Sequence, residues 1–365
     1  MGHVIELDEA VWFQRCRRAW DLGAGERRNL EALEPLRPFD LAVALREGLG
    51  AWYFPAMWAW TRSMVRPIAL ESFHKSMRTQ RASFLDSHDA AAFPEDDWAG
   101  AGRRGSELLE GYFDWASNLD DFTAVRVSPE IDVVVPDPGL AGAGLIAADG
   151  GPIRFRGRID LLVADEHNRL WLVEHRLVDG EWPARDTLVL DPRSTLACWA
   201  LEHQYDARIG GVLINELRPE PVSPTPGRSG FGEPRRGVIV IEDPSGRFRR
   251  TRIRKTLTEL RRLLRQFAAA AAEMTDPGLP VYPNPSPQTC ARCAFVAPCL
   301  ALSAGDDPAP VLEASYRRRV PEVIPLPPRT GSCGPQRVYG WKTKGPGVSQ
   351  PIRGRGGPPP MGRAV

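Results

Sequence analysis

In the stretch GRIDLLVADEHNRLWLVEHRLV, residues 157–178, two apolar runs (159–163 and 170–173) are separated only by the polar segment 164–169. Short runs of Leu, Ile and Val with a polar spacer of this length read as two strands of a buried hairpin. One run carries Asp160 beside its start, and the other leads straight into Glu174-His175-Arg176. Any fold for this chain must therefore bring two carboxylates to one end of a hairpin and set an arginine next to the second.

The chain has 365 residues, 42% hydrophobic and 25% charged, enough for one large domain or two ordinary ones. A net charge of +1 neither requires nor excludes a nucleic-acid partner. Only four of the 47 basic residues are lysine (Lys75, Lys255, Lys342 and Lys344), so arginine carries most of the positive charge. The first residues lack a basic segment followed by an apolar one, so a secretory signal is not expected. No window approaches an uninterrupted membrane-spanning run. The expected location is the cytoplasm, with no membrane partner, and there clustered cysteines indicate metal or redox use.

Helical spacing is expected over 39–60, 68–84 and 103–116, with a loop at 87–100. Strand follows over 124–136 and ends at Pro136, Pro138 and Gly139. Beyond the hairpin, 193–205 reads as helix, 209–218 as strand, 219–236 as loop and 237–244 as a short strand. Residues 249–274 read as a long helix with an arginine-loaded first half. Helices first and then mixed strands predict an α/β core with an N-terminal helical region. The expected divisions are a helical region at 38–120, a core at 121–275 and a cysteine cluster at 280–302, all within one domain over 1–305. The remainder, 306–365, reads as a Pro/Gly/Arg-rich disordered tail, since 326–365 has seven Lys or Arg and no Asp or Glu.

Asp160 and Glu174, on strands joined by a short turn, can meet near one point, where a hard divalent cation takes oxygen ligands. Such a pair suits Mg²⁺ or Mn²⁺, which can activate water and stabilise charge on a phosphodiester being cut. The plainer alternative is a surface hairpin with two ordinary acids. Glu130, before the strand at 131–135, is a further candidate acid, although an exposed strand-edge glutamate is the plainer reading.

Gly157-Arg158-Ile159-Asp160 followed by LWLVEHR resembles the core of the PD-(D/E)XK nuclease superfamily, specifically its RecB-like branch. There a Gly-x-x-Asp strand precedes a strand ending in (Asp/Glu)-x-Lys. The resemblance implies that Asp160 and Glu174 ligate the metal together with the His175 backbone carbonyl, and that Arg176 stands in the lysine position. The segment PNPSPQTCARCAFVAPC gives Cys290, Cys293 and Cys299, and a lone Cys16 lies upstream in CRRAWDL. One upstream and three downstream cysteines resemble the iron–sulfur branch of RecB-like exonucleases. INELR, 214–218, is similar to a strand of that branch. The matches run from about residue 8 to 300. They imply a restriction-endonuclease-like mixed sheet flanked by helices, a [4Fe–4S] cluster on the four cysteines clamping the chain ends, and Mg²⁺ or Mn²⁺ at the carboxylates. They also imply DNA as substrate, single-stranded or at ends, with a possible helicase or recombination partner. A tetrahedral zinc site is the alternative use of four thiolates.

Three positions depart from that pattern. Arginine at 176 stays protonated and places its hydrogen bonds differently from lysine. Arg193 and Ala197 stand where the branch often has Gln-x-x-x-Tyr. Arg46 stands near the position of a metal-binding histidine in many relatives, and His74 and His88 are the only nearby substitutes. The readings to separate are an active nuclease, a catalytically lapsed relative that binds DNA or a partner, and a zinc-stapled interaction protein. The cationic stretch 249–267 suits phosphate contacts if it is a solvated helix, and Trp52, Trp58 and Trp60 have the spacing of core residues.

Overall fold

The computed structural model describes residues 2–34, 38–86, 88–220 and 237–319. Most of the expected 219–236 loop, and the tail beyond 319, lie outside the described residues. The chain opens with β1 (His3–Glu6), α1 (Leu7–Arg15), α2 (Arg17–Gly23) and β2 (Leu30–Ala32). Three longer helices follow: α3 (Leu41–Trp52), α4 (Arg62–Leu85) and α5 (Glu95–Ser117). Then come β3 (Phe122–Val127), β4 (Glu130–Val134), β5 (Ile153–Arg158), β6 (Leu161–Asp165) and β7 (Leu170–Leu177). Helices α6 (Arg185–Val189) and α7 (Pro192–Tyr205) cross over to β8 (Ile209–Leu217). After β9 (Val238–Glu242), β10 (Phe248–Arg254) and α8 (Leu257–Met274), the short α9 (Pro287–Cys290) and α10 (Val296–Ala304) precede α11 (Ala309–Ser315) and β11 (Tyr316–Arg318).

Among the described residues the main sheet has the order β3-β6-β7-β8-β10-β9 and is mixed: β7 and β8 run parallel, and the other neighbours antiparallel. A parallel pair needs a long crossover, and α6–α7 provide it. A smaller sheet, β1-β5-β4, sits beside it, and β2 pairs with β11. Alternation divides the core between the two faces of the main sheet. Leu161, Val163, Trp171 and Val173 point to α3–α5, where Trp52 stacks on Phe113 at 4.2 Å. Leu162, Leu170, Leu172 and Ile214 point to α1, α7, α8 and the small sheet.

The helix expected over 39–60 stops at Trp52, because Pro55 forces Phe54 into an extended conformation. The other two helices are longer than expected. Helix α5 starts at Glu95, with Pro94 as its cap and three acids in the first turn, where the helix dipole favours negative charge. Trp52 is buried as core, whereas Trp60 is exposed.

The helix expected over 249–274 is corrected at its start. Phe248–Arg254 is a central strand between β8 and β9, and the helix begins only at Leu257, where Thr256 and Glu259 form a capping box. The strand's arginines are not a solvated cationic face. Arg249 is buried on Glu216 (2.6 Å), Arg250 is buried on Asp120 (2.8 Å), and Arg252 stacks over Trp171 (4.2 Å). Of the arginines in this half of the stretch only Arg254 is exposed, so most of the expected phosphate contacts lack groups to make them. The ordered chain also runs past 306: α11 and β11 cover residues that read as tail, held by pairing with β2 and by the Tyr316 hydroxyl donating to Ala294 O (2.6 Å).

Gly157 places α1. A Cβ at this position would lie 2.7 Å from Leu7 Cβ, so only glycine lets the start of α1 lie against β5. That contact puts Asp8 beside the hairpin end.

Candidate active site

The β6–β7 register pairs Leu161 with Val173, so Asp160 and Glu174 are the next opposed positions. The β7 backbone confirms the match, because the His175 N–H donates to Asp160 Oδ2 at 2.7 Å. Strand alternation turns Glu174 and Arg176 to one face of the sheet and His175 to the other.

Arg176 donates to Glu174 Oε2 through Nε (3.1 Å) and Nη2 (2.5 Å), to Asp191, and to Ser194 Oγ (3.0 Å). Asp191 is the N-cap of α7 and also accepts from Arg193 N and Ser194 Oγ. The arginine at 176 is thus tied to a helix start as well as to the acid. Burial alone would lower its pKa, yet Glu174 and Asp191 hold it above the ordinary arginine range. It cannot release a proton.

Arg193 on α7 lies 3.4 Å from Glu174 Oε1 and 2.8 Å from Asp8 Oδ1. Arg46 on α3 lies 3.9 Å from Asp160 Oδ1. Burial raises the Asp160 carboxyl pKa, and the His175 N–H together with Arg46, Arg193 and Arg176 pulls it back down. The three arginines that depart from the sequence pattern therefore converge on the two carboxylates. Sequence reading flagged each of them separately; Asp8, Asp191 and Ser194, which anchor two of them, it missed. The one available cue for Asp191 is its place before Pro192, a helix-start signature.

On the other face, His175 stacks on Tyr53 (5.8 Å between ring centres) and meets Tyr112 edge-on. Arg250 Nε donates to Asn215 Oδ1 (2.7 Å), which leaves the Asn215 amide to donate to His175 Nδ1 at 3.4 Å and puts the ring proton on Nε2. Burial, then Arg250 and Arg46, pushes the His175 pKa down to about 3, so the ring is neutral.

The two acids and the arginines line a cleft of about 1080 Å³ together with Gly157, Arg158, Ile159, Tyr53, Phe54, Met57 and Ile68. Phe54 and Ile68 are exposed. Glu130 pairs with Arg158 (3.1 Å) and is not part of the lining. Neither are His74, which bonds Ser106, and His88, which stacks on Phe84. Lys255 is buried behind α7 and donates to Val189 O (2.7 Å), so it does not replace a lysine in the cleft.

The carboxylates fit a divalent cation. Among the described residues Glu174 Oε1 is buried without a hydrogen-bond partner, and Asp160 Oδ1 has only Arg46 near it. One such oxygen on each of two opposed acids is what Mg²⁺ needs from protein, since water and phosphate oxygens fill its other positions. No group of three His, Cys, Asp or Glu side chains among the described residues is arranged to hold a metal ion.

The four cysteines lie in the same region, at the far end of α1, but no three of them are arranged to hold a metal ion. Cys16 caps α1 and starts α2, and its Sγ accepts from Asn284 N (3.5 Å). Arg15 donates to Gln288 O, and Arg18 donates to Cys299 O (3.3 Å) and to Cys299 Sγ (3.6 Å). Burial raises the Cys293 thiol pKa, the Phe295 N–H lowers it, and the neighbouring Cys16, Cys290 and Cys299 raise it further. Cys16, Cys290, Cys293 and Cys299 are all free thiols.

The sequence profile of the PD-(D/E)XK nuclease superfamily matches residues 12–300. No curated protein matches the chain. Thirteen chains of solved structures match, among them that of SSO0001, with 10% identity, 81% of this chain and 84% of that chain covered, and a TM-score of 0.33. No helix among the described residues is long and apolar enough to cross a membrane.

Proposed function

This chain belongs to the PD-(D/E)XK nuclease superfamily, and from that membership we propose that it is a metal-dependent DNA nuclease of the RecB-like iron–sulfur type. It would act on single strands or ends in DNA repair, recombination or phage- or CRISPR-related processing. The observation that carries the reading is the opposed Asp160–Glu174 pair lining an open cleft, with, among the described residues, Glu174 Oε1 free of hydrogen bonds and Asp160 Oδ1 approached only by Arg46 at 3.9 Å. Asp160 and Glu174 would hold Mg²⁺ or Mn²⁺, with the His175 carbonyl as a further ligand. The cation supplies a polarised water and positive charge against the phosphodiester. Arg176, permanently charged and fixed by Asp191 and Ser194, orients Glu174 and balances its charge, but it does not act as a base. Neutral His175 packs behind the site and fixes the direction of Asp160 through its backbone N–H. Cys16, Cys290, Cys293 and Cys299 would hold a [4Fe–4S] cluster that joins the two ends of the chain.

A second reading, a catalytically lapsed relative that binds DNA or a partner, is favoured by one observation. Arginine occupies three cleft positions together, and each of these arginines faces an acid. Cleavage of labelled single- and double-stranded DNA in Mg²⁺ and Mn²⁺ separates the two readings. Cleavage by the wild type that is abolished in Asp160→Ala supports the nuclease. Silence in the wild type with activity in Arg176→Lys supports the lapsed relative.

A further inference from the structure

The three cleft arginines are not equivalent. Arg176 is fixed by two carboxylates and a hydroxyl, whereas Arg46 has one long ion pair and Arg193 is anchored outside the hairpin, on Asp8 at 2.8 Å. The Arg46 side chain is 45% exposed, and its one ion pair among those described is the 3.9 Å approach to Asp160. Arg193 shares itself between Glu174 and Asp8, and Asp8 is itself largely exposed.

Their targets are specific. His175 occupies Asp160 Oδ2, and Arg46 faces Oδ1. Arg176 occupies Glu174 Oε2, and Arg193 faces Oε1. The Arg46 and Arg193 guanidinium groups therefore cover the two oxygens that a cation would need. They also line an open cleft, where a phosphate could take them in forked hydrogen bonds stronger than their present contacts.

We propose that Arg46 and Arg193 make metal binding conditional on a nucleic-acid phosphate. In the free protein they neutralise Asp160 and Glu174. When a phosphodiester enters the cleft they turn to it, and the acids are released to the cation. The inference rests on reading Asp160 and Glu174 as metal ligands. Coupling of this kind is reciprocal, so metal and nucleic acid must strengthen each other's binding by the same factor.

The test is a Mn²⁺ titration of the full chain followed by electron paramagnetic resonance, with and without a saturating phosphorothioate-linked single-stranded oligonucleotide. Asp160→Asn with the same oligonucleotide supplies the background of Mn²⁺ bound to nucleic acid. In the wild type the oligonucleotide should tighten the Asp160-dependent site at least tenfold, and saturating Mn²⁺ should tighten the oligonucleotide equally. Arg46→Gln and Arg193→Gln should each bind Mn²⁺ more tightly without oligonucleotide and show a smaller coupling. Equal Mn²⁺ affinity with and without oligonucleotide in the wild type overturns the proposal, even if the variants bind metal more tightly. A different result, no Asp160-dependent Mn²⁺ in any protein under either condition, overturns the metal-ligand reading itself.

Discussion

Asp160 and His175 are joined across the β6–β7 pair: the His175 amide donates to Asp160 Oδ2 at 2.7 Å, so the register of one strand aims the acid on the other. The bond depends on an acceptor oxygen and not on charge. Asp160→Asn should keep it and unfold in urea within about 1 kcal/mol of the wild type. Asp160→Ala leaves a part-buried N–H unpaired and should lose ~1–3 kcal/mol. Both should lack Mg²⁺-dependent cleavage, and equal stability losses in the two variants would contradict this account of the bond.

Arg176 should matter to the fold as well as to the cleft. Arg176→Met leaves Glu174, buried at 3% exposure, without its main partner, and a denaturant melt should show a loss of ~3 kcal/mol. Arg176→Lys keeps the charge but cannot span Glu174, Asp191 and Ser194 together, so an intermediate loss is expected.

His175 sets a pH dependence. Its folded pKa of about 3 lies below the ordinary 6.5, so below pH 6.5 the unfolded chain takes up a proton that the native chain does not. Its contribution to stability is complete above pH 6.5 and falls by up to ~1.4 kcal/mol per pH unit on acidification towards pH 3. Asp160 works in the opposite direction, since burial favours its protonated form. Subtracting the stability–pH curve of His175→Gln from that of the wild type should isolate the histidine slope between pH 6.5 and 4. A flat difference would rule out a neutral buried ring.

Anaerobically purified protein should contain about four iron atoms per chain with matching sulfide. Serine at Cys16, Cys290, Cys293 or Cys299 should lower the iron content and the melting temperature. Cys198→Ala should leave the iron unchanged, because Cys198 is buried within α7. Zinc in place of iron would favour the stapled interaction protein instead.

Gly157→Ala should cost ~1–3 kcal/mol, because the new Cβ meets Leu7 at 2.7 Å. The same shift moves Asp8 away from Arg193, so tighter Mn²⁺ binding in the absence of nucleic acid should accompany the lower melting temperature.

The hairpin and its two acids were legible because both runs are short, apolar and separated by a polar turn, and no helix accommodates that pattern. The family pattern likewise placed Arg46, Arg176 and Arg193 as departures one at a time. Their convergence was not legible, since it depends on how α3, β7 and α7 pack. The strand β10 misled for a physical reason. Phe248-Arg249-Arg250-Thr251-Arg252 has no apolar alternation, because Arg249 and Arg250 are buried on Glu216 and Asp120 and Arg252 stacks on Trp171, partners that lie far away in sequence. Ion pairing and stacking replace hydrophobicity there, and no local periodicity records them. The short β11 failed for a similar reason: its partner β2 lies near the other end of the chain.

That last pairing has a consequence for how the protein is made. During synthesis β1 emerges first but has no neighbour until Ile153–Arg156 of β5 follows, and β2 waits for Tyr316–Arg318, the last strand described. Domains whose contacts join distant parts of the chain fold slowly and expose unpaired edges in the meantime. A ribosome-bound chain stopped at residue 300 would carry every acid and arginine of the cleft yet leave β2 an open edge. Closure of the β2 edge therefore waits for residues 316–318, and a fragment ending at residue 300 should be protease-sensitive around β2.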